Sequence, residues 1–301
     1  MPEKLPTYGG QAVIEGVMMR GSQNVAIAMR APGGEIVVHT EPLPPVYRSK
    51  LTKIPFLRGL VILWDALSLG IRALTISANT QTGEDEKIEG PQLYVTLGIA
   101  LLFGVGLIFL LPAFLGHALE RWILPLFSSL GMSANSAAWW GNLAEGILRL
   151  GLLIGYIVLI GRMAEIRRVF AYHGAEHKTI NAFEAGAELN PESVAQHSLK
   201  HPRCGTSFLL TVVVMSVLFF SLLGPLPLGW RLASRILMLP VLASLAYEYI
   251  RWTAGHLNSA VVRWMIRPNL ALQRLTTREP DLEILEVSIA SFQAMRQKEG
   301  V

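Results

Sequence analysis

Residues 93–115, LYVTLGIALLFGVGLIFLLPAFL, carry no charged side chain. Coiled as a helix at about 1.5 Å per residue, such a run covers the roughly 30 Å hydrocarbon core of a bilayer. The wider composition agrees. Of 301 residues 51% are hydrophobic and 16% charged, whereas a soluble domain carries about 25% charged residues. A polytopic membrane protein is therefore the first expectation.

Three further runs fit that expectation. Residues 141–161 form a second span only if it carries Glu145 and Arg149, which at i and i+4 share a helix face and can pair. Residues 206–223 and 231–251 flank GPLPLGW, a turn-type connection, and read as a helical hairpin with a kink at Pro240. Residues 55–79 differ: Arg58, Asp65 and Arg72 recur every seventh position and draw a polar stripe along an otherwise apolar helix. That pattern suits the membrane interface or packing on the bundle, with a fifth span as the alternative.

Lysine and arginine counts give the orientation. Nine fall in 1–92, six in 162–203 and seven in 251–301, while the loop read at 116–140 has only Arg121, together with Trp122, Trp139 and Trp140. By the positive-inside rule both termini and the 162–203 loop are cytoplasmic. Residues 1–20 lack the apolar core of a signal peptide, so internal helices are expected to direct insertion. The net charge of +4 is assigned to these membrane flanks. No basic and aromatic platform points to nucleic acid.

Outside the membrane, NVAIAMRAPGGEIVVHTE (24–41) reads as two strands joined at Ala-Pro-Gly-Gly. The glycine-rich YGGQAVIEGVMMRG (8–21) has neither a phosphate-loop nor a dinucleotide-binding pattern. It is read as a turn-rich segment packed on the hairpin, or as a loop bringing Glu15 and Arg20 to a cytosolic site. The fold class is then an all-α polytopic membrane protein with about four transmembrane helices, an interfacial helix and a small amino-terminal β-hairpin on the cytosolic side. Its expected organisation is a cytosolic segment 1–54, the interfacial helix and acidic linker 55–92, a transmembrane hairpin 93–161, a cytosolic loop and helix 162–205, a second transmembrane hairpin 206–251, and cytosolic tail helices 252–301. The tail is read as an amphipathic helix at 256–275 and a polar helix at 281–298.

The chemistry concentrates in 162–205. FAYHGAEHKTIN (170–181) places His173 and His177 one helical turn apart with Glu176 beside them, the His-x-x-Glu-His pattern in which two imidazoles hold zinc and a carboxylate handles a proton. HPRCGTSF (201–208) adds His201 and Cys204, and zinc accepts imidazole and thiolate together. Cys204 is the sole cysteine, so no internal disulfide competes for it. Glu176 is the candidate catalytic base, His173, His177, His201 and Cys204 are the candidate metal ligands, and Glu184, Glu248, Arg203, Glu15 and Arg20 are candidates for the surrounding shell. Binding by all four ligands would close the site and make it structural; three would leave a position open.

These two motifs and GGQAVIEGVMMRG at 9–21 resemble the YqhQ-like family of bacterial membrane proteins, over nearly the whole chain. The resemblance implies a multi-pass protein of the bacterial plasma membrane with a metal-dependent activity, and it names no reaction. The expected function is a zinc-type membrane hydrolase with a cytosol-facing site. A non-catalytic scaffold or accessory subunit with a structural metal is the alternative, and a transporter the third option. The expected partners are the lipid bilayer and a membrane protein or second copy of the chain, with no nucleic acid.

The orientation is directly testable. In a Cys204→Ala background, Asn190→Cys should react with an impermeant thiol reagent only after the membrane is opened. Labelling from the outside of intact cells would overturn the assignment.

Overall fold

The computed structural model describes residues 8–44, 52, 54–82 and 90–300. In chain order these form β1 (Gly9–Val13), β2 (Gly16–Arg20), β3 (Asn24–Arg30), β4 (Ile36–Pro42), α1 (Leu57–Thr82), α2 (Pro91–Val105), one π-helical turn (Gly106–Leu110), α3 (Leu111–Ser129), α4 (Ala134–Ile160), α5 (Ala164–Glu184), α6 (Pro191–Ala195), α7 (Thr206–Ser221), α8 (Leu228–Leu237), α9 (Leu239–Gly255), α10 (Ala260–Met265), α11 (Arg267–Thr276) and α12 (Leu282–Glu299). The acidic linker read at 82–92 falls, at 83–89, outside the described residues. The chain divides into two compact units, one of residues 1–88, 159–207 and 252–301, the other of 89–158 and 208–251.

The first unit is built on a four-stranded antiparallel sheet in the order β1-β2-β3-β4. A single hairpin at 24–41 was expected; the glycine-rich stretch before it supplies a second. Ile14 and Glu15 make its two-residue turn, with Glu15 at φ 51°, and β2 then pairs along β3. Both faces of the sheet are covered. Val17, Met19, Ala26 and Ala28 pack with α5 and α12, and Val13, Met18, Val25, Ile27 and Met29 pack on Leu69 and Ala73 of α1. This double burial explains why β3 reads as a nearly unbroken apolar run. Burying side chains of this size contributes about 1.5–3 kcal/mol each.

Helix α12 also departs from expectation. Its charged residues suggested a polar tail helix, yet Ile284, Leu285, Val287, Ile289, Phe292 and Met295 are core. Two small residues let it approach: Ser288 bonds Thr179 of α5 at 2.8 Å, and Ser291 donates to the Ala26 carbonyl of β3 at 3.0 Å. Asp281 caps its start by accepting from the Ile284 amide at 2.8 Å, and Gly300 ends it in the left-handed conformation. The tail is thus part of the first unit's core.

Helix α1 lays its inner face, with Gly70, Ala73 and Ser77, on the sheet; Ser77 accepts from the Ile14 amide at 3.2 Å. Within the polar stripe Asp65 is buried and Arg72 pairs with Glu41 of β4 at 2.7 Å. The opposite face exposes Trp64, Leu67 and Leu74.

In the second unit, α2, the π turn and α3 run on from Pro91 to Ser129, so the span read at 93–115 is longer and the loop read at 116–140 shrinks to a short connection. Helix α7, with 16 residues, is shorter than the run 206–223 and than the roughly 20 residues a perpendicular span needs. The fourth run is broken: α8 and α9 meet at 42°. The break falls just before the expected kink residue, because Pro240 has no N–H to donate and its ring crowds the preceding turn. Among the described residues three helices, or four with the bent pair taken as one, are long and apolar enough to cross a membrane.

Five buried ionisable side chains join these helices. Glu145 accepts from Arg149 at 2.6 Å and Arg235 at 2.7 Å, and Arg231 lies 3.3 Å away. Arg231 also pairs with Glu120 of α3, and Asn142 accepts from Arg231 and Arg235 at 2.7 and 3.0 Å. Arg149 reaches Ser216 of α7 at 2.8 Å and the Ile108 carbonyl within the π turn at 3.0 Å. The pairing of Glu145 with Arg149 was legible from spacing; Arg231, Asn142 and Glu120 were not expected there.

Removing the shared acceptor should be costly, because Arg149 and Arg235 then lose their carboxylate partner and Arg231 keeps only Glu120. Glu145→Ala is expected to destabilise the protein by about 3–5 kcal/mol, read as a lower melting temperature in detergent. An unchanged melting temperature would show that the network contributes little.

Candidate metal centre

Helix α5 starts after Met163, which is extended, carries Glu165 in its first turn, and ends at Ala185 before Gly186 in the left-handed region. Spacings of three and four put His173, Glu176 and His177 on the side facing β1, the 199–204 loop and the segment following α11. Gly174 lies against that last segment: a Cβ there would strike the Arg278 carbonyl, while the Arg278 amide donates to Phe170 at 2.9 Å.

The two histidines are held alike. Nδ1 of His173 lies 2.8 Å from the Thr276 carbonyl, and Nδ1 of His177 lies 2.5 Å from the Leu199 carbonyl. A carbonyl can only accept, so each neutral ring carries its proton on Nδ1 and turns a bare Nε2 inward. Nε2 of His173 is 3.2 Å from Sγ of Cys204. Nε2 of His177, on a side chain with no solvent exposure, has no hydrogen-bond partner. Sγ of Cys204 accepts from the Thr206 amide at 3.4 Å at the start of α7. The ligand atoms of His173, His177 and Cys204 all lie within 4.8 Å of one another. Tetrahedral zinc, with bonds of about 2.0–2.3 Å, sets its ligands about 3.3–3.8 Å apart. The three groups therefore fit after a small contraction, and an ion would satisfy the orphaned nitrogen.

His201 is turned to other partners. Its Nε2 faces Glu184 at 3.9 Å and Arg203 at 3.4 Å, although its ring centroid is 5.7 Å from that of His177. Its backbone is clamped by Gln273 of α11, which accepts from the His201 amide at 2.9 Å and donates to its carbonyl at 2.8 Å. Burial lowers the His201 pKa. His201 and Arg203 hold the Glu184 carboxyl below its usual range despite partial burial. Gln273 carries no motif, and only the tertiary fold reveals its position.

Glu176 is buried, with Oε2 4.0 Å from Nε2 of His173. Burial raises its pKa, opposed by His173 and by a hydrogen bond from the Gly10 amide. Strand β1 passes so close that a Cβ on Gly10 would sit 2.9 Å from Cγ of Glu176. The glycine-rich stretch thus reaches the site through Gly10. Glu15 instead pairs with Arg168 and accepts at 3.3 Å from the hydroxyl of Tyr172, the residue before His173. Arg20 interacts electrostatically with Asp65 of α1, and Glu248 stands on α9 in the second unit. Neither belongs to the three-ligand set.

The first unit thus holds a histidine–cysteine cluster framed by a sheet and two helices, and the second a set of apolar helices. Residues 54–298 match the family described as protein of unknown function DUF1385, and the chain belongs to that family. It is similar to the "Uncharacterized protein YqhQ" of Bacillus subtilis (strain 168), with 34% identity over 313 residues covering 98% of this chain and 94% of that one. No solved structure matches the chain. The family description names no activity, so any enzymatic reading rests on the side chains themselves.

Gly10→Ala should disturb this region selectively. The new methyl meets the Met18 carbonyl as well as Glu176, and overpacking of this kind costs about 1–3 kcal/mol. A melting temperature equal to that of the parent would show that β1 does not need the close approach.

Proposed function

We propose that the protein is a membrane-embedded, metal-dependent hydrolase of the bacterial plasma membrane, with a zinc-type site on the cytosolic side. His173, His177 and Cys204 hold the ion, which supplies Lewis acidity at its remaining position. Glu176, buried one turn from His173, accepts and returns the proton of the attacking water. The observation that carries the reading is the inward, unpartnered Nε2 of His177 beside the His173–Cys204 pair. Three ligands favour an open site, whereas a closed structural site needs His201, and that ring faces Glu184 and Arg203. A thiol nucleophile, Cys204 with His173 as its base, also has the required contact. It gives His177 no role and leaves its Nε2 unsatisfied, so the metal reading accounts for more.

A transporter is favoured by a different feature. The π turn at Gly106–Leu110, the bend between α8 and α9, and the five buried ionisable groups of the second unit are devices found along transport pathways. The histidine–cysteine set is the more specific chemical signal, and the hydrolase reading is retained on that ground.

Two measurements decide the matter. Purified protein should contain about one equivalent of zinc, and replacing His173 and His177 together by alanine should remove it while the protein still inserts. Glu176→Gln should keep the metal but lower hydrolysis of peptide or lipid-ester substrates by about 10²- to 10⁴-fold. Metal-free parent protein, or metal retained in the double variant, would remove the site. Full hydrolysis by Glu176→Gln would remove its proposed mechanism.

A further inference from the structure

Helix α11 has two faces. Asn269, Leu272, Gln273 and Thr276 are buried, and two of them hold the histidine cluster through Gln273 and the Thr276 carbonyl. The opposite face carries Arg267, Leu270, Ala271 and Arg274, which with Lys200 line a hollow of about 350 Å³. That size is within the range of small-ligand sites, about 300–1,000 Å³. Its lining holds three cations and no acid. The side chains of Lys200, Arg267 and Arg274 make no ion pair or hydrogen bond among the described residues. Arg267 and Arg274 stand seven residues apart on the helix, two turns, with Leu270 and Ala271 as an apolar floor between them.

The surroundings point to the source of a complementary anion. Helix α10 immediately precedes α11 and exposes Val261 and Trp264, 66% and 67% accessible, beside Arg263. An exposed tryptophan, an aliphatic residue and an arginine on a short helix are anchors of the kind found at a bilayer interface. Lys200 comes six residues before α7, and α10 begins five residues after the end of α9. Chain segments of that length reach at most about 20 Å. Along the chain, Lys200 and α10 each lie within one such segment of an apolar helix.

We infer that the Lys200–Arg267–Arg274 hollow binds the phosphodiester headgroup of an anionic phospholipid. The guanidiniums and ammonium take the phosphate oxygens, Leu270 and Ala271 receive the glycerol, and the acyl chains leave beside Val261 and Trp264. Phosphate and guanidinium match in geometry as well as charge. A zwitterionic lipid offers the same phosphate but brings its own cation towards three others, so the hollow discriminates against it.

The test uses full-length protein in a non-ionic detergent, titrated with phosphatidylglycerol or phosphatidylcholine, with bound lipid counted by native mass spectrometry. Phosphatidylglycerol should bind the parent preferentially, and Arg267→Gln/Arg274→Gln should weaken that binding by about 10- to 30-fold. Lys200→Gln alone, a change to one exposed side chain, should weaken it by a smaller factor. Arg162→Gln/Arg167→Gln, which removes the same charge from the exposed start of α5, should leave it unchanged. Excess inorganic phosphate should fail to displace the lipid. Equal retention of both lipids by the parent, undiminished binding in both hollow variants, equal loss in the α5 control, or displacement by phosphate alone would each overturn the assignment.

Discussion

Two histidine rings, one turn apart on α5, each give the Nδ1 proton to a main-chain carbonyl, and the geometry of the first unit follows from that requirement. The acceptors are the carbonyls of Leu199 and Thr276, far from α5 in sequence but adjacent in space. Bringing them there requires the 199–204 loop and the end of α11 to close on the helix from two sides. Gln273 ties those two segments together by bonding both backbone groups of His201. The result is a pair of Nε2 lone pairs fixed in direction by the fold, an arrangement that would lower the entropic cost of assembling the proposed metal site.

The third wall of the site is a strand. Strand β1 comes within contact of Glu176 because Gly10 has no side chain, and its amide provides the carboxylate with a donor where water is excluded. The sheet is held in turn from both sides, by α1 on one face and by α5 with α12 on the other. A helix drawn from the last 20 residues therefore supports a site drawn from the middle and the beginning of the chain.

The second unit solves a different electrostatic problem. Arg149, Arg231 and Arg235 are buried among apolar helices, a placement that is tolerated because Glu145, Glu120 and Asn142 receive most of their donors and Ser216, Ser234 and a main-chain carbonyl the others. The π turn contributes as well, since its Ile108 carbonyl is available to Arg149. Such a network fixes which helix faces meet, a specificity that interchangeable aliphatic surfaces cannot supply.

Much of this could be read without coordinates. The uncharged run at 93–115, the helix bearing Arg58, Asp65 and Arg72, the strands of 24–41, the i,i+4 pair of Glu145 and Arg149, and the shared face of His173 and His177 all follow from periodicity and spacing, because each depends on local geometry. What only the tertiary structure decided depends on partners remote in the chain. Helix α12 looked polar because of its charged residues, although its serines face a hydroxyl on α5 and a carbonyl on β3 and its apolar side chains are core. The glycines at 9–16 looked like a loop because their strand pairing is completed only by β2 and β3. His201 looked equivalent to its neighbours, and its ring was turned to Glu184 and Arg203 by contacts that no spacing rule encodes. Local spacing fixes which side chains share a helix face; the direction each then points is set by charges and carbonyls that only folding brings near.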